Sequence, residues 1–200
     1  MKKIKIGITG GIGSGKSIFC KIAESKGYPV IVADEVAKKL LGENEEIKKQ
    51  IVEAFGSEAY INDEPNKKFL ADNVFSKPDK LVQINSIIHP KTLQIIEELM
   101  NEYLKTNNLV FVESAIIVEI GIEEMFDYIV LITAEDQKRI ERVQKRSSLT
   151  SEEIQKRIDS QLKDESKKQF ADFTIDNNST EEKFIEKCEF IITLLKTLTI

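Results

Sequence analysis

A glycine-rich segment near the start of the chain has the composition and spacing of a phosphate-binding loop. It runs Gly10-Gly-Ile-Gly-Ser-Gly-Lys-Ser17 and satisfies the pattern G-x-x-x-x-G-K-[S/T] at every fixed position. Glycines allow backbone N–H groups to approach phosphate oxygens, and the N-terminus of the following helix adds partial positive charge. Lys16 supplies a cation for the β- and γ-phosphates, and Ser17 supplies a hydroxyl ligand for Mg²⁺. The segment therefore predicts binding of ATP or GTP together with Mg²⁺.

The surroundings of this loop support the same prediction. The apolar run Ile4–Thr9 predicts a strand that leads directly into the loop, and Ile18–Lys26 predicts the helix behind it. A glycine turn that merely joins strand and helix is the alternative. The predicted nucleotide-binding residues are Gly10, Gly11, Ile12, Gly13, Ser14, Gly15, Lys16, Ser17 and Ile18.

Two carboxylates come at the ends of predicted strands, where ligands gather in open α/β sheets. Asp34 follows the run Pro29–Ala33, where it would accept the proton of an attacking hydroxyl. The alternative is that Asp34 caps a helix over Glu35–Leu41. Glu113 follows the run Leu109–Val112 and would reach Mg²⁺ through water, unless it is only a solvated glutamate at a strand end.

All four arginines of the chain fall in one stretch, which is otherwise rich in charges of both signs. Arg139, Arg142 and Arg146 have the spacing i, i+3, i+7 and are predicted to share a helix face, and Arg157 falls on the next helix. Guanidinium groups bind phosphate oxygens bidentately. We therefore expect a helical lid that covers the triphosphate, with a solvated basic face as the alternative.

The rest of the chain predicts the elements that position these residues. Five short runs rich in β-branched and aromatic residues predict buried parallel strands, with helical patterns between them: Ile4–Thr9, Pro29–Ala33, Leu109–Val112, Tyr128–Thr133 and Phe173–Asp176. The expected fold is α/β, a three-layer fold around a five-stranded parallel sheet.

One connection is too long for a single crossover helix. Within it, Asn44 is predicted to cap a helix that stops at Gly56, and three more helical pieces follow, over Lys67–Ser76, Pro78–Ile88 and Lys91–Lys105. A long insertion in a compact domain is usually functional. We therefore expect a helical substrate-binding insertion.

Composition narrows the class of protein. The net charge of −5 over 200 residues argues against nucleic acid as the main partner. We expect no membrane span, because no apolar run approaches about 18 residues. We expect no secretion signal, because Lys5 interrupts the apolar stretch at the start of the sequence and glycines follow it. The two cysteines, Cys20 and Cys188, are too few for a disulfide framework, and one histidine cannot build a His-rich metal site. We expect a cytoplasmic protein that acts on a small-molecule substrate. We expect it to be a monomer or a weak homo-oligomer.

The order of motifs along about residues 4–195 resembles the dephospho-CoA kinase family. The loop with Ile8-Thr9 before it resembles that family's phosphate loop, and Val30-Ile-Val-Ala-Asp34 resembles its second-strand motif I-D-A-D. The other matching segments are Phe75-x-x-Pro78, His89-Pro90, Ile116-Ile-Val-Glu119, Arg142 with Arg146, Gln161, Ala171-Asp172 and Ile175-Asp-Asn177.

The resemblance implies an activity and roles for particular residues. It implies a P-loop kinase that phosphorylates the ribose 3′-hydroxyl of dephospho-CoA with ATP. Asp34 would be the catalytic base and also touch the substrate, Arg142 and Arg146 would be catalytic lid arginines, and Asn177 would border the adenine. Lys67 and His89 are the further candidates for substrate binding, in the helical region.

The chain departs from the family pattern at several positions. Val32 stands where the family usually has Asp, Ala115 where it has Pro, and Lys67 where it has Arg. Glu113 lies where Asp is common, and Ser147-Ser148 replaces Asp-Gly after the lid arginine. The phosphate-loop lysine, the expected base and the lid arginines are all kept.

The predicted organisation is a single domain over residues 1–200. Its core comprises 1–34, 107–135 and 171–200, with the helical substrate region over about 35–106 and the lid over about 136–170. The alternatives are another small-molecule P-loop kinase, for a nucleoside, nucleotide or shikimate-like alcohol, and a non-catalytic ATP-binding regulator. A GTPase is disfavoured because neither D-x-x-G after the third strand nor N-K-x-D is present.

Overall fold

A five-stranded sheet is the centre of this computed structural model, which describes residues 2–75 and 77–200. The strands are β1 (Ile4–Thr9), β2 (Val30–Val32), β3 (Leu109–Glu113), β4 (Tyr128–Thr133) and β5 (Phe173–Asp176). Their order in the sheet is β2-β3-β1-β4-β5. β1 pairs in parallel with β3 and β4, and β4 pairs in parallel with β5. The predicted α/β fold with a five-stranded parallel sheet is confirmed.

Helices connect these strands. In chain order they are α1 (Lys16–Ser25), α2 (Ala33–Glu43), α3 (Glu45–Phe55), α4 (Lys67–Leu70), α5 (Pro78–Thr106), α6 (Asp136–Gln144), α7 (Ser151–Asp159), α8 (Asp164–Lys168) and α9 (Glu181–Thr197). No helix within residues 2–75 and 77–200 is long and apolar enough to cross a membrane.

Apart from Val32, the last residue of β2, the sheet belongs to the first of two units, which covers 2–31 and 100–200. Its strands are buried because their β-branched side chains pack on the sheet faces, and Ile4, Ile6 and Ile8 of β1 are completely buried. They share one core with Phe19 of α1 and Phe184 of α9. The phosphate loop, which follows β1, therefore begins next to this buried core.

Strand register brings the ends of the central strands together. Ile8 lies opposite Glu113 of β3, and Thr9 lies opposite Leu131 of β4. Residues that follow β1 and end β3 are therefore neighbours at the carboxyl edge of the sheet, where ligands of α/β proteins bind.

The second unit, Val32–Leu99, has its own core. Asn44 caps α3 as predicted, since its side chain accepts a hydrogen bond from the Ile47 N–H at 3.0 Å. A two-residue hairpin pairs Tyr60–Ile61 with Glu64–Pro65. The buried core residues are Ile47, Ile51, Ala59, Tyr60, Leu70, Val74, Ile84 and Ile88.

The predicted break at His89-Pro90 is wrong, because α5 runs without interruption from Pro78 to Thr106 with Pro90 inside it. A proline inside a helix removes one hydrogen bond and costs about 3 kcal/mol. Buried side chains on both sides of Pro90, among them Ile88 and Ile96, offset this cost by packing.

The predicted helix over Lys67–Ser76 is also different in the structure. It consists of α4 followed by a π-helical segment, Ala71–Phe75. Ser76 lies outside the described residues.

Both thiols are predicted to be unreactive in the folded protein. Cys20 and Cys188 are buried, and burial raises the pKa of each thiol to about 12, so the reactive thiolate is scarce at pH 8. We expect a disulfide reagent such as Ellman's reagent to react with both thiols only after denaturant is added. Fast reaction of either thiol in the native protein would contradict the packing of α1 against α9.

Candidate active site

The phosphate loop joins β1 to α1 through a glycine turn. Gly15 is the N-cap of α1 and has φ 117°, a left-handed conformation that residues with a Cβ rarely adopt. A Cβ at Gly15 would also lie only 2.4 Å from the Asn177 side-chain nitrogen. The loop therefore has the strand–loop–helix geometry that the sequence predicts, with the N-terminus of α1 behind it.

Lys16 points back over the loop. Its Nζ donates hydrogen bonds to the carbonyl oxygens of Gly10 at 3.0 Å and Gly11 at 3.3 Å. It also lies 3.5 Å from Glu113 Oε1, and both side chains are largely buried, with exposed fractions of 11% and 14%. The predicted cation and the predicted strand-end carboxylate are thus held together at the carboxyl edge of the sheet.

Asn177 connects the loop to an arginine of α6. Its Nδ2 donates to the Ser14 carbonyl at 2.7 Å, and its backbone N–H donates to Thr133 at 2.8 Å. Arg142 Nη2 donates both to Asn177 O at 2.8 Å and to Asn177 Oδ1 at 3.1 Å. Arg142 is therefore positioned next to the phosphate loop through a single buried asparagine.

The arginines that were predicted to share one helix face lie in different environments. Arg146 does not belong to it, because α6 ends at Gln144 and Arg146 is exposed in the following turn. Arg139 is buried, and its guanidinium is engaged with protein groups. Arg157 is exposed on α7. Spacing alone predicted one face, but the early end of the helix separates its members.

Gln161 and Arg139 hold the tip of the phosphate loop. The Ile12 N–H donates to Gln161 Oε1 at 2.8 Å, and Arg139 Nε donates to the Ile12 carbonyl at 2.9 Å. Arg139 is anchored in turn by Asp136 Oδ1 at 3.1 Å. This contact could not be foreseen from the sequence, since the resemblance named Gln161 without a role and helical spacing assigned Arg139 to the lid.

A buried ion pair ties α8 to the segment after β3. Lys167 has no exposed surface, lies 2.6 Å from Glu119 Oε1 and donates to the Ala115 carbonyl at 2.8 Å. Burial raises the pKa of the nearby Asp164 carboxyl, against the opposing pull of Arg139 and Lys167. The charged groups of Lys167, Glu119 and Asp164 are therefore wholly or partly buried.

The remaining predicted site residues, Asp34, Lys67 and His89, lie in the second unit. Asp34 is exposed in the first turn of α2, whose N-cap is Val32 with no side-chain hydrogen bond, so the alternative that Asp34 caps this helix is wrong. Lys67 is exposed at the first position of α4. His89 is half-buried within α5, and burial lowers its pKa, which favours the neutral imidazole.

Comparison with known proteins identifies the family. The family model described as dephospho-CoA kinase matches residues 4–183. The chain belongs to the dephospho-CoA kinase family. A dephospho-CoA kinase from Bacteroides fragilis is 34% identical over 195 residues, covering 98% of this chain and 95% of that protein. One from Fusobacterium nucleatum is 34% identical over 185 residues, covering 92% and 94%.

Solved structures agree with this assignment to the dephospho-CoA kinase family. A Thermus thermophilus protein superposes with a TM-score of 0.81 at 30% identity, over 97% of this chain and 98% of that one. Dephospho-CoA kinase from Campylobacter jejuni has a TM-score of 0.66 at 28% identity, over 96% of each chain. A shikimate kinase from Acinetobacter baumannii, at 14% identity and a TM-score of 0.52 over 98% and 94% of the chains, shares the fold alone.

Loss of Lys167 is predicted to destabilise this dephospho-CoA kinase family member strongly. Lys167→Met leaves the Glu119 carboxylate without its buried partner, which costs about 3–5 kcal/mol of unfolding free energy. Urea unfolding measures the loss. The matched control is Lys168→Met on the same helix, since Lys168 pairs with exposed Glu165 in a solvent-screened contact, and its loss should change the unfolding free energy little. Equal effects of the two variants would contradict a structural role for the buried pair.

Proposed function

We propose that this chain transfers the γ-phosphoryl group of ATP to the ribose 3′-hydroxyl of dephospho-CoA, giving CoA and ADP. The observation that carries the proposal is the phosphate loop, with Lys16 over its carbonyls and Glu113 beside it, in a chain that belongs to the dephospho-CoA kinase family. The proposed enzyme acts in the cytoplasm on small molecules, as a monomer or weak homo-oligomer.

The loop would hold the triphosphate with its backbone and with Lys16. The first N–H groups of a helix have no intrahelical partner, so the N-terminus of α1 offers donors to an anion. Lys16 already lies over the loop, and its ammonium would neutralise charge on the β- and γ-phosphates. Phosphoryl transfer depends mainly on such positioning and charge stabilisation.

Mg²⁺ is proposed to bind next to Ser17 and Glu113. Ser17 is exposed at the start of α1, and the Glu113 carboxylate is held beside Lys16. Protein-bound Mg²⁺ takes oxygen ligands, keeps several waters and uses few carboxylates when phosphates complete its shell. One hydroxyl and one carboxylate fit that demand. Among the described residues no cluster of three or more His, Cys, Asp or Glu side chains could hold a metal. When bound, the ion would neutralise phosphate charge.

Asp34 is the proposed catalytic base. Its exposed carboxylate follows β2 by two residues and is not used as a helix cap. The 3′-hydroxyl would give its proton to Asp34 as its oxygen forms a bond to the γ-phosphorus, and the bond from that phosphorus to the β-γ bridging oxygen breaks to release ADP.

Arg142 and Arg146 are proposed to stabilise the transferred group. Arg142 is held near the loop by Asn177, and its Nη1 is buried without a hydrogen-bond partner among the described residues. It thus retains a donor for phosphate, while Arg146 is exposed and unconstrained by α6. Asn177 is proposed to border the adenine. Lys67 and His89 are proposed to contact dephospho-CoA, as a cation and a neutral imidazole.

The acceptor panel tests the proposed reaction. ADP release from ATP and Mg²⁺ is measured with dephospho-CoA and, separately, with adenosine, AMP, CMP, pantothenate and shikimate. We expect ADP only with dephospho-CoA, in equal amount to the CoA formed. ADP formation with another alcohol and not with dephospho-CoA would overturn the proposed substrate.

Substitution of Asp34 is predicted to separate catalysis from nucleotide binding. Asp34→Asn removes the proton acceptor and should lower kcat by about 10²–10⁴-fold, while the Kd for ATP changes less than about twofold. Glu35→Gln, the exposed neighbour on α2, serves as the control and should keep kcat. Lys16→Ala should lose both ATP affinity and turnover. Full activity of Asp34→Asn would show that Asp34 is not the base.

A further inference from the structure

The backbone of Ile12, at the tip of the phosphate loop, is held at both its N–H and its carbonyl group. Its N–H donates to Gln161 Oε1 at 2.8 Å, and its carbonyl accepts from Arg139 Nε at 2.9 Å. Arg139 Nη2 also reaches Gln161 Oε1 at 3.4 Å. Two side chains that lie far away in sequence therefore bond the two successive peptide groups on either side of the Ile12 Cα.

Gly11 shows how close Arg139 approaches. The phosphate-loop pattern leaves this position open to any residue, and the φ of Gly11 is outside the left-handed region that favours glycine. A Cβ added there would nevertheless lie 1.9 Å from Arg139 Nη2 and 2.5 Å from its Cζ. The guanidinium therefore occupies the space of a side chain at position 11.

Arg139 has little freedom to move out of that space. It is 6% exposed, and Asp136 Oδ1 accepts from its Nη1 at 3.1 Å while Ile12 and Gln161 accept from Nε and Nη2. A side chain at Gly11 would have to displace the guanidinium and break these hydrogen bonds. Leaving a buried charged donor unpaired costs more than losing a neutral hydrogen bond.

We infer that Arg139 and Gln161 are positioning residues, which set the conformation of the phosphate loop through the backbone N–H and carbonyl of Ile12, and that Gly11 is glycine because Arg139 packs against it. Arg139 thus differs from Arg142, since its donors are directed to the loop backbone and to two side chains. The inference rests on the proposed function only in taking a nucleotide as the ligand of the loop.

A double-substitution cycle on nucleotide affinity tests the inference directly. The Kd values of ADP and ATP are measured by calorimetry, without any acceptor, for the wild type, Gly11→Ala, Arg139→Ala and the double variant. Each single substitution should weaken binding about tenfold, which corresponds to about 1.4 kcal/mol. In the Arg139→Ala background, Gly11→Ala should add less than about a twofold change, since the side chain it would meet is gone.

Gly13→Ala is the matched control for this cycle. A Cβ at Gly13 would lie 2.6 Å from the backbone carbonyl of Arg139, which Arg139→Ala leaves in place, and Gly13 has φ 76°. Its effect on the nucleotide Kd should therefore be the same in both backgrounds. A general loosening of the loop by Arg139→Ala would instead reduce the effects of both glycine substitutions.

Gln161→Leu tests the other half of the contact and remains decisive if Arg139→Ala does not fold. It removes the acceptor for Ile12 and should raise the nucleotide Kd about tenfold in a protein whose circular dichroism is unchanged. Gln155→Leu on α7 removes a glutamine whose side chain donates to Asp159 Oδ1 at 2.8 Å, away from the loop backbone, and should leave the Kd unchanged.

The outcomes separate this inference from the proposed function. A full Gly11→Ala effect in the Arg139→Ala background, no effect of Gly11→Ala in the wild type, or a wild-type Kd in Gln161→Leu would each overturn it. Because no acceptor is present, an error about dephospho-CoA changes none of these results. Failure of the wild type to bind any nucleotide would overturn both.

Discussion

The site depends on one constraint: a glycine-rich backbone must stay folded around the position of an anion. Glycines make the turn possible, but they also make the loop flexible, since glycine loses more conformational entropy on folding than any other residue. Side chains from elsewhere in the first unit supply the missing order. Lys16 bonds the loop carbonyls, Asn177 bonds Ser14, and Arg139 with Gln161 holds Ile12. Preorganised donors of this kind stabilise developing charge without rearranging during the reaction.

Much of the sheet and the phosphate loop could be predicted from the sequence because their signals are local. Three strands begin and end at the predicted residues, and β2 and β3 differ only at their ends, because runs of β-branched residues between turns define buried strands well. The pattern Thr150-Ser-Glu-Glu153 is the sequence signature of a capping box. The structure has this box at the start of α7, where the Glu153 N–H donates to Thr150 Oγ1 at 3.2 Å and the Thr150 N–H donates to Glu153 Oε2 at 2.8 Å. The loop pattern also specifies which residues turn the chain.

The sequence-based predictions that were wrong or missing concern features that depend on interactions between residues distant in sequence. Helical spacing grouped Arg146 with Arg139, yet where α6 ends is decided by packing that spacing does not report. Pro90 predicted a break because its local cost is large, but burial on both sides of it keeps α5 continuous. The roles of Gln161 and Lys167 could not be predicted, since each depends on a partner more than 40 residues away. The family resemblance singled out Gln161 without giving a reason for it.

Hydrogen exchange of single loop amides, measured by NMR with and without ATP and Mg²⁺, tests most directly whether the loop is preset. We expect the Ile12 amide to be protected before nucleotide is added, because it donates to Gln161, and to stay protected afterwards. The amides of Gly13 and Gly15 should gain protection when ATP binds. An Ile12 amide that exchanges like an exposed loop amide in the free protein would contradict the account, as would loop amides that do not respond to ATP.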